Sequence, residues 1–289
     1  MAQKSLKSLA ILSHKGGVGK SSIAVNIAVH LAKTHSVCLL DNDFHGPSLV
    51  TFFKKREDVK YINNYLLENE PLENCLQEIS KELNSLLEGK IWVGFADPTP
   101  ESIQQLIRID QNASIKMLKS LMKMKKRLKE APFNIDYLII DCSPGTGYST
   151  VNVMLTANSS LFIVKLSNAD LYGTSQMIAG LYKQLKSRTL VLSNMIPKLF
   201  IDDRKTKEEI RTLIEKRFEH DIGEEGAVKF LGWIPSDLEL QNIEFQEALK
   251  ALKGLQSSRI IYTLEQPDHI FSTTLIDLIP ILFEEEKPE

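Results

Sequence analysis

Along the chain, short runs of aliphatic and β-branched residues alternate with longer stretches whose apolar positions recur at helical spacing. The runs predict strands at 7–13, 36–42, 90–96, 135–141, 160–166, 188–194 and 228–232. The stretches predict helices at 20–34, 47–55, 72–88, 101–130, 148–158, 169–186 and 203–221. Two runs, "DYLIID" and "SLFIVKL", are almost continuously apolar, as strands covered on both faces are. This alternation implies right-handed crossovers and an α/β fold: a mainly parallel, twisted sheet with helices on both faces. No repeat or low-complexity linker divides the chain, so a single domain over 1–289 is expected, with a C-terminal helix and acidic tail at 266–289.

In such a sheet, ligands bind beyond the carboxyl ends of the strands. Those ends carry "SHKGGVGKSS", "LLDNDFHGPS", "IIDCSPGTG", "VLSNMIP" and "FLGWIPSD", rich in Gly, Asp, Asn, Ser and Pro. They are expected to converge on one rim.

Composition narrows the classes. With 289 residues, 43% hydrophobic and 25% charged, the chain can bury a core without staples. A formal charge of -2 sets up no global field toward nucleic acid or membrane. Cys38, Cys75 and Cys142 form no C-x-x-C pair, which points away from a disulfide framework or a cysteine metal site and toward a reducing, cytoplasmic setting. The N-terminal apolar run is too short for a signal peptide, and no stretch reaches bilayer length. Peripheral contact with a membrane stays open.

The segment 13–22 has the chemistry of a phosphate loop. Gly16, Gly17 and Gly19 let the backbone turn tightly and present N–H groups to phosphate oxygens. The helix starting near Lys20 adds its unpaired first-turn donors and its dipole. Lys20 supplies a point charge to the β- and γ-phosphates, and the Ser21 hydroxyl suits a Mg²⁺ shell. The strict G-x-x-x-x-G-K-[ST] pattern needs glycine where His14 stands.

"KGGVGKS" resembles the deviant phosphate-loop signature of the MinD/ParA/Mrp family of P-loop ATPases. "DNDFHGPS" is similar to that family's switch I, and "DCSPGTG" to its switch II. "SNM" resembles the segment whose asparagine reads adenine, and "GWIPSD" the one flanking the base. The resemblance covers about residues 7–245 and implies a P-loop NTPase fold, ATP and Mg²⁺ as cofactors, and slow Mg²⁺-dependent hydrolysis to ADP and phosphate. It assigns nucleotide binding to Lys15, Gly16, Gly17, Val18, Gly19, Lys20, Ser21, Ser22, Gly145, Asn194, Pro235 and Asp237. It places Ser21, Asp43 and Asp141 at the metal, Asp141 acting through water. Asp41 would hold magnesium-bound water or the loop, and Asp43 would orient the attacking water; taken singly, each aspartate also reads as a turn or cap residue. Gly145 should offer its N–H to the γ-phosphate. Asn194 can give and accept hydrogen bonds with an adenine edge, and Pro235 and Asp237 would flank the base through loop backbone.

Lys15 answers to the family's signature lysine, which reaches the other subunit's phosphates in an ATP-dependent homodimer. Together with Lys20 and Asp43 it completes the expected catalytic set. Two positions depart from the family: Ser143 replaces a proline and Tyr148 an acid. The C-x-x-C of the Mrp branch is missing from "NMIPKLFIDDRK".

The function implied is an ATP-hydrolysing dimerisation switch, read by a regulatory or cargo protein in positioning, partition or assembly. Alternatives are an Mrp-type iron–sulfur cluster carrier or assembly ATPase, and a nucleotide-binding module that has lost hydrolysis. The basic face of 115–130, over a stripe of Met117, Leu121, Met124 and Leu128, offers a weak surface for nucleic acid or acidic lipid, but a solvated sheet-covering helix is preferred. The C-terminal helix, with Pro280 and a run of glutamates, reads as packed on the domain rather than inserted in a membrane.

Overall fold

The computed structural model describes residues 5–83, 87–107, 110–182, 187–197, 204–255 and 259–284. Its first half runs β1 (Lys7–Leu12), α1 (Lys20–Ala32), β2 (Val37–Asn42), a 3₁₀ turn (Leu49–Thr51), α2 (Ile62–Leu66), α3 (Leu72–Cys75), β3 (Gln77–Glu78), α4 (Ser80–Leu83), β4 (Ile91–Gly94), α5 (Pro100–Ile107) and α6 (Gln111–Arg127). The second half runs β5 (Tyr137–Cys142), α7 (Tyr148–Thr156), β6 (Ser159–Val164), α8 (Asn168–Leu181), β7 (Arg188–Ile196), α9 (Arg204–Ile222), β8 (Lys229–Pro235), α10 (Leu238–Leu252), α11 (Tyr262–Glu265) and α12 (Ile270–Leu282).

The strands form one eight-stranded sheet in the order β3-β4-β2-β5-β1-β6-β7-β8. Among the described residues, only the β3–β4 pair is antiparallel. Alternate residues of each central strand feed the two layers. Leu9 and Ile11 of β1 join Ile23, Ile27 and Leu275 from α1 and α12 on one face. Ala10 and Leu12 join Leu121, Val153, Ile178 and Phe218 from α6 to α9 on the other. Burial on both faces is why these strands read as unbroken apolar runs.

Three expected helices differ. The segment 47–55 closes into the single 3₁₀ turn, because the Asp41 carboxylate takes the Ser48 and Leu49 N–H groups and fixes the chain there. The expected helix 72–88 breaks at Leu76, whose extended backbone lets β3 satisfy the open edge of β4, pairing Gln77 with Val93 and Glu78 with Trp92; residues 84–86 lie outside the described residues. The expected helix 101–130 is two helices, the second restarted by Asp110, whose carboxylate accepts from Ala113 N at 2.8 Å.

The Met117–Leu128 stripe is buried as expected. Much of the basic face above it is already engaged: Lys125 Nζ donates to Ser8 Oγ at 2.9 Å, Lys123 pairs with Glu68, and Arg127 pairs with Glu73.

The C-terminal helix is α12, packed on the sheet through Phe271, Leu275, Ile279 and Leu282, with Pro280 exposed in its last turn. Lys7 Nζ donates to Phe283 O at 3.0 Å and Arg188 Nη1 to Ile281 O at 2.8 Å, placing cations at the negative end of that helix. The acidic tail at 285–289 lies outside the described residues. No helix among the described residues is long and apolar enough to cross a membrane. The sequence reading did not anticipate α10. None of its 15 residues is buried, and Leu238, Phe245 and Leu252, seven residues apart, are 76%, 60% and 83% exposed.

Candidate functional site

The loop between β1 and α1 is built around left-handed glycines, Gly17 at φ 71° and Gly19 at φ 92°. A side chain at either position is strained, and at Gly19 a Cβ would also stand 2.4 Å from Asn194 Nδ2. That contact reflects how the loop is held: Asn194 Nδ2 donates to Val18 O at 2.8 Å, and Asn194 Oδ1 accepts from Met195 N at 2.9 Å. Asn194 therefore stands at the expected place, but its amide fastens the loop to β7; reading an adenine edge is left to its remaining lone pair and hydrogen.

His14, which breaks the strict loop pattern, has a structural partner. Its ring occupies the space over Gly173 of α8, where a Cβ would come within 2.2 Å of ring Cδ2 and Nε2. The loop is docked on α8 through this histidine.

The acids divide by role. Asp41 and Asp141 are register partners on β2 and β5. Asp41 Oδ1 accepts from Asp43 N, and Oδ2 accepts from Ser48 N and Leu49 N, all at 3.1 Å. These bonds engage Asp41 in shaping its own loop. Burial, and then the charge of Asp141, push its pKa well up, while the Leu49 and Asp43 N–H groups pull it down. Asp141 is fully buried, and neither of its oxygens receives a hydrogen bond of good geometry, although the Ser21 hydroxyl lies close by. Burial raises its pKa to about 7, against the opposing pull of the Ser21 hydroxyl and the Lys20 ammonium. An orphaned buried carboxyl beside a serine and a lysine fits a hydrated divalent cation, whose waters would satisfy both oxygens.

Asp43 lies half-buried on the cavity wall. Its Oδ1 accepts from Ser143 Oγ at 3.0 Å and from Gly46 N at 3.1 Å. The serine that departs from the family pattern thus links the two expected switch segments, a bond that proline has no hydroxyl to make. Gly145, at φ 82°, donates its N–H to Ser13 O at 2.9 Å. The N–H expected to meet the γ-phosphate is tied to the phosphate loop instead.

A cavity of about 390 Å³ collects most of these groups. Gly16, Gly17, Gly19, Lys20, Ser21, Ser22 and Asp43 line one end, and Asn194, Pro235 and Asp237 are also on its wall. Lys20 is 7% exposed. Lys15 is exposed and is not among the lining residues; Val18 is buried behind the loop. Asp237 also caps α10, its Oδ1 accepting from Glu239 N at 2.8 Å, and it faces His269 Nε2 at 3.7 Å.

Further wall residues come from beyond the quoted motifs: Leu240, Gln241 and Glu244 on α10, then Arg259, Tyr262 and Phe271. One signal in the sequence could have found the three on α10. Asp237 is a good helix cap and is followed by apolar residues at helical spacing, so a helix returning over the loop was readable there.

Comparison with known proteins agrees with this geometry. The ParA family profile, described as "NUBPL iron-transfer P-loop NTPase", matches residues 5–260. The chain is 28% identical over 178 residues to Soj, the sporulation initiation inhibitor protein of Bacillus subtilis, a match covering 60% of this chain and 63% of Soj. It is 27% identical over 237 residues to an iron-sulfur cluster carrier protein of Pyrococcus furiosus, covering 80% and 74% of the two chains. Among solved structures, a chain of the MinC:MinD cell division protein complex of Aquifex aeolicus superposes with a TM-score of 0.65 at 20% identity, covering 98% of each chain.

Proposed function

On the premise that the chain belongs to the ParA family of P-loop NTPases, we propose that it is an ATP-hydrolysing dimerisation switch. Its ATP-bound dimer would be read by partner proteins in positioning, partition or assembly. The contrast between the two loop lysines carries the reading. Lys20 is buried on the cavity wall, whereas Lys15, five residues earlier in the same loop, is exposed and outside the lining. A cation in that place is free to reach the phosphates of a second copy.

In this reading Lys20 and the N–H groups at the start of α1 bind the β- and γ-phosphates. Ser21 and, through water, Asp141 hold Mg²⁺, which neutralises phosphate charge when bound. Asp43 orients the attacking water and accepts its proton, held in place by Ser143. Lys15 of the second copy arrives last and offsets charge on the departing phosphoryl group, a contribution of about 10³–10⁵ in rate for comparable trans cations.

Light scattering of the Asp43→Ala protein tests this. ATP with Mg²⁺ should convert it to a dimer, ADP should not, and Lys15→Ala should prevent the conversion. A monomer in every condition would sink the proposal.

The family description and the Pyrococcus relative favour a second reading, action in iron–sulfur assembly. Cys38, Cys75 and Cys142 are all buried, and burial pushes each thiol pKa up, Cys75 to about 11, so none is poised to ligate a cluster. In that role the ATP cycle would act on a cluster held by another protein. Incubation with iron and sulfide should leave the purified chain without visible absorbance; a stable chromophore would favour the carrier.

A further inference from the structure

Arg259 lies outside every quoted motif, yet it stands where two cavities join. The cavity described above shares Ser22, Gln241, Glu244, Arg259 and Tyr262 with a second one of about 690 Å³, which lies between the 3₁₀ turn and α10. The Arg259 main-chain N–H donates to Thr51 O at 3.1 Å, tying its segment to that turn. The guanidinium carbon is 5.0 Å from the centre of the Phe52 ring.

The counter-charge is weak. Arg259 Nη2 is 3.6 Å from Glu244 Oε1, with the two side chains 40% and 50% exposed. A long, solvated pair of this kind contributes little and is easily exchanged.

A nucleotide reaching from Lys20 and Ser21 toward Pro235 and Asp237 must carry its α-phosphate past the first turn of α1. There Ser22 and Arg259 share the wall. A planar guanidinium fork suits a phosphate in that place better than an ammonium does.

We propose that Arg259 binds the α-phosphate of the nucleotide, exchanging its contact with Glu244 for the phosphate oxygens. The assignment rests on the nucleotide reading above. It also connects occupancy of the cavity to the turn that follows Asp43, through Thr51 and Phe52.

Calorimetric titration of the full chain with ATP, ADP and AMP tests it. Arg259→Met keeps an apolar stem over Phe52 and should weaken all three nucleotides by one common factor of about ten. Arg259→Lys should recover part of the loss. Glu244→Gln should tighten all three about threefold, since it removes the competing carboxylate. Lys20→Ala, by contrast, should spare AMP relative to ATP and ADP. ADP and AMP affinities within twofold of wild type in Arg259→Met would overturn the assignment, as would weakening by Glu244→Gln. A wild-type chain that binds no nucleotide would defeat the nucleotide reading itself, a separate and recognisable result.

Discussion

Asp41 and Asp141 are register partners on adjacent central strands, yet one carboxyl accepts three main-chain N–H bonds and the other accepts none. The sheet brings two acids to its carboxyl rim and spends one on architecture. The other is left without a main-chain donor.

The orphaned acid has a pH signature. An unfolded aspartate ionises near about pH 4, whereas burial holds Asp141 at about 7 in the folded chain. Between those values the folded state keeps a proton that the unfolded state has released, so stability falls as pH rises through this window and levels off above it. Urea denaturation of the nucleotide-free protein should show that decline, and Asp141→Asn should lessen it, the remainder belonging to Asp41, whose pKa burial also raises. Stability that instead rises with pH across the window, unchanged in Asp141→Asn, would contradict the assignment.

His14 and Gly173 make a complementary pair. Gly173→Ala forces a Cβ into the imidazole and should cost about 1–3 kcal/mol, the usual range for overpacking. Adding His14→Ala should return most of that loss, giving a coupling that thermal or urea melts of the double-mutant cycle can read. Additive losses would show that the ring moves aside freely.

Asn194 offers a direct choice between two roles. If it fastens the loop, Asn194→Ala should weaken ATP and GTP by a similar factor, about tenfold for a buried bond lost with one partner left unpaired. If it reads the base, the ATP-to-GTP preference should collapse while GTP affinity holds. Competition titrations separate the two, and the bonds to Val18 and Met195 predict the first.

Ser143 should matter to turnover more than to binding. Ser143→Ala removes the hydroxyl that Asp43 accepts at 3.0 Å, so ATP hydrolysis should fall about three- to tenfold with ADP affinity unchanged. Phosphate-release assays beside ADP titration check both halves of the statement.

Much of this was legible because central strands buried on both faces are written as unbroken apolar runs and phosphate loops as glycine with lysine. Lys20, Ser21 and Asp43 stand where the motifs put them. What was not legible depended on contacts between distant segments. Nothing local distinguishes Asp41 from Asp141; the difference is made by Ser48 and Leu49 folding back onto one of them. Leu76 breaks an otherwise helical stretch because β4 has an open edge to be paired. Arg259 reaches the cavity only because its segment hydrogen-bonds to Thr51, more than two hundred residues earlier.

Since α10 buries none of its residues, the core gains little from it, although Leu240, Gln241 and Glu244 form part of the cavity wall. Its amides should exchange with solvent hydrogen through local opening, well before those of α1 or β5. Evolution can therefore rewrite this wall without endangering the fold. The α10 side of the cavity is thus the part of its wall least bound by packing.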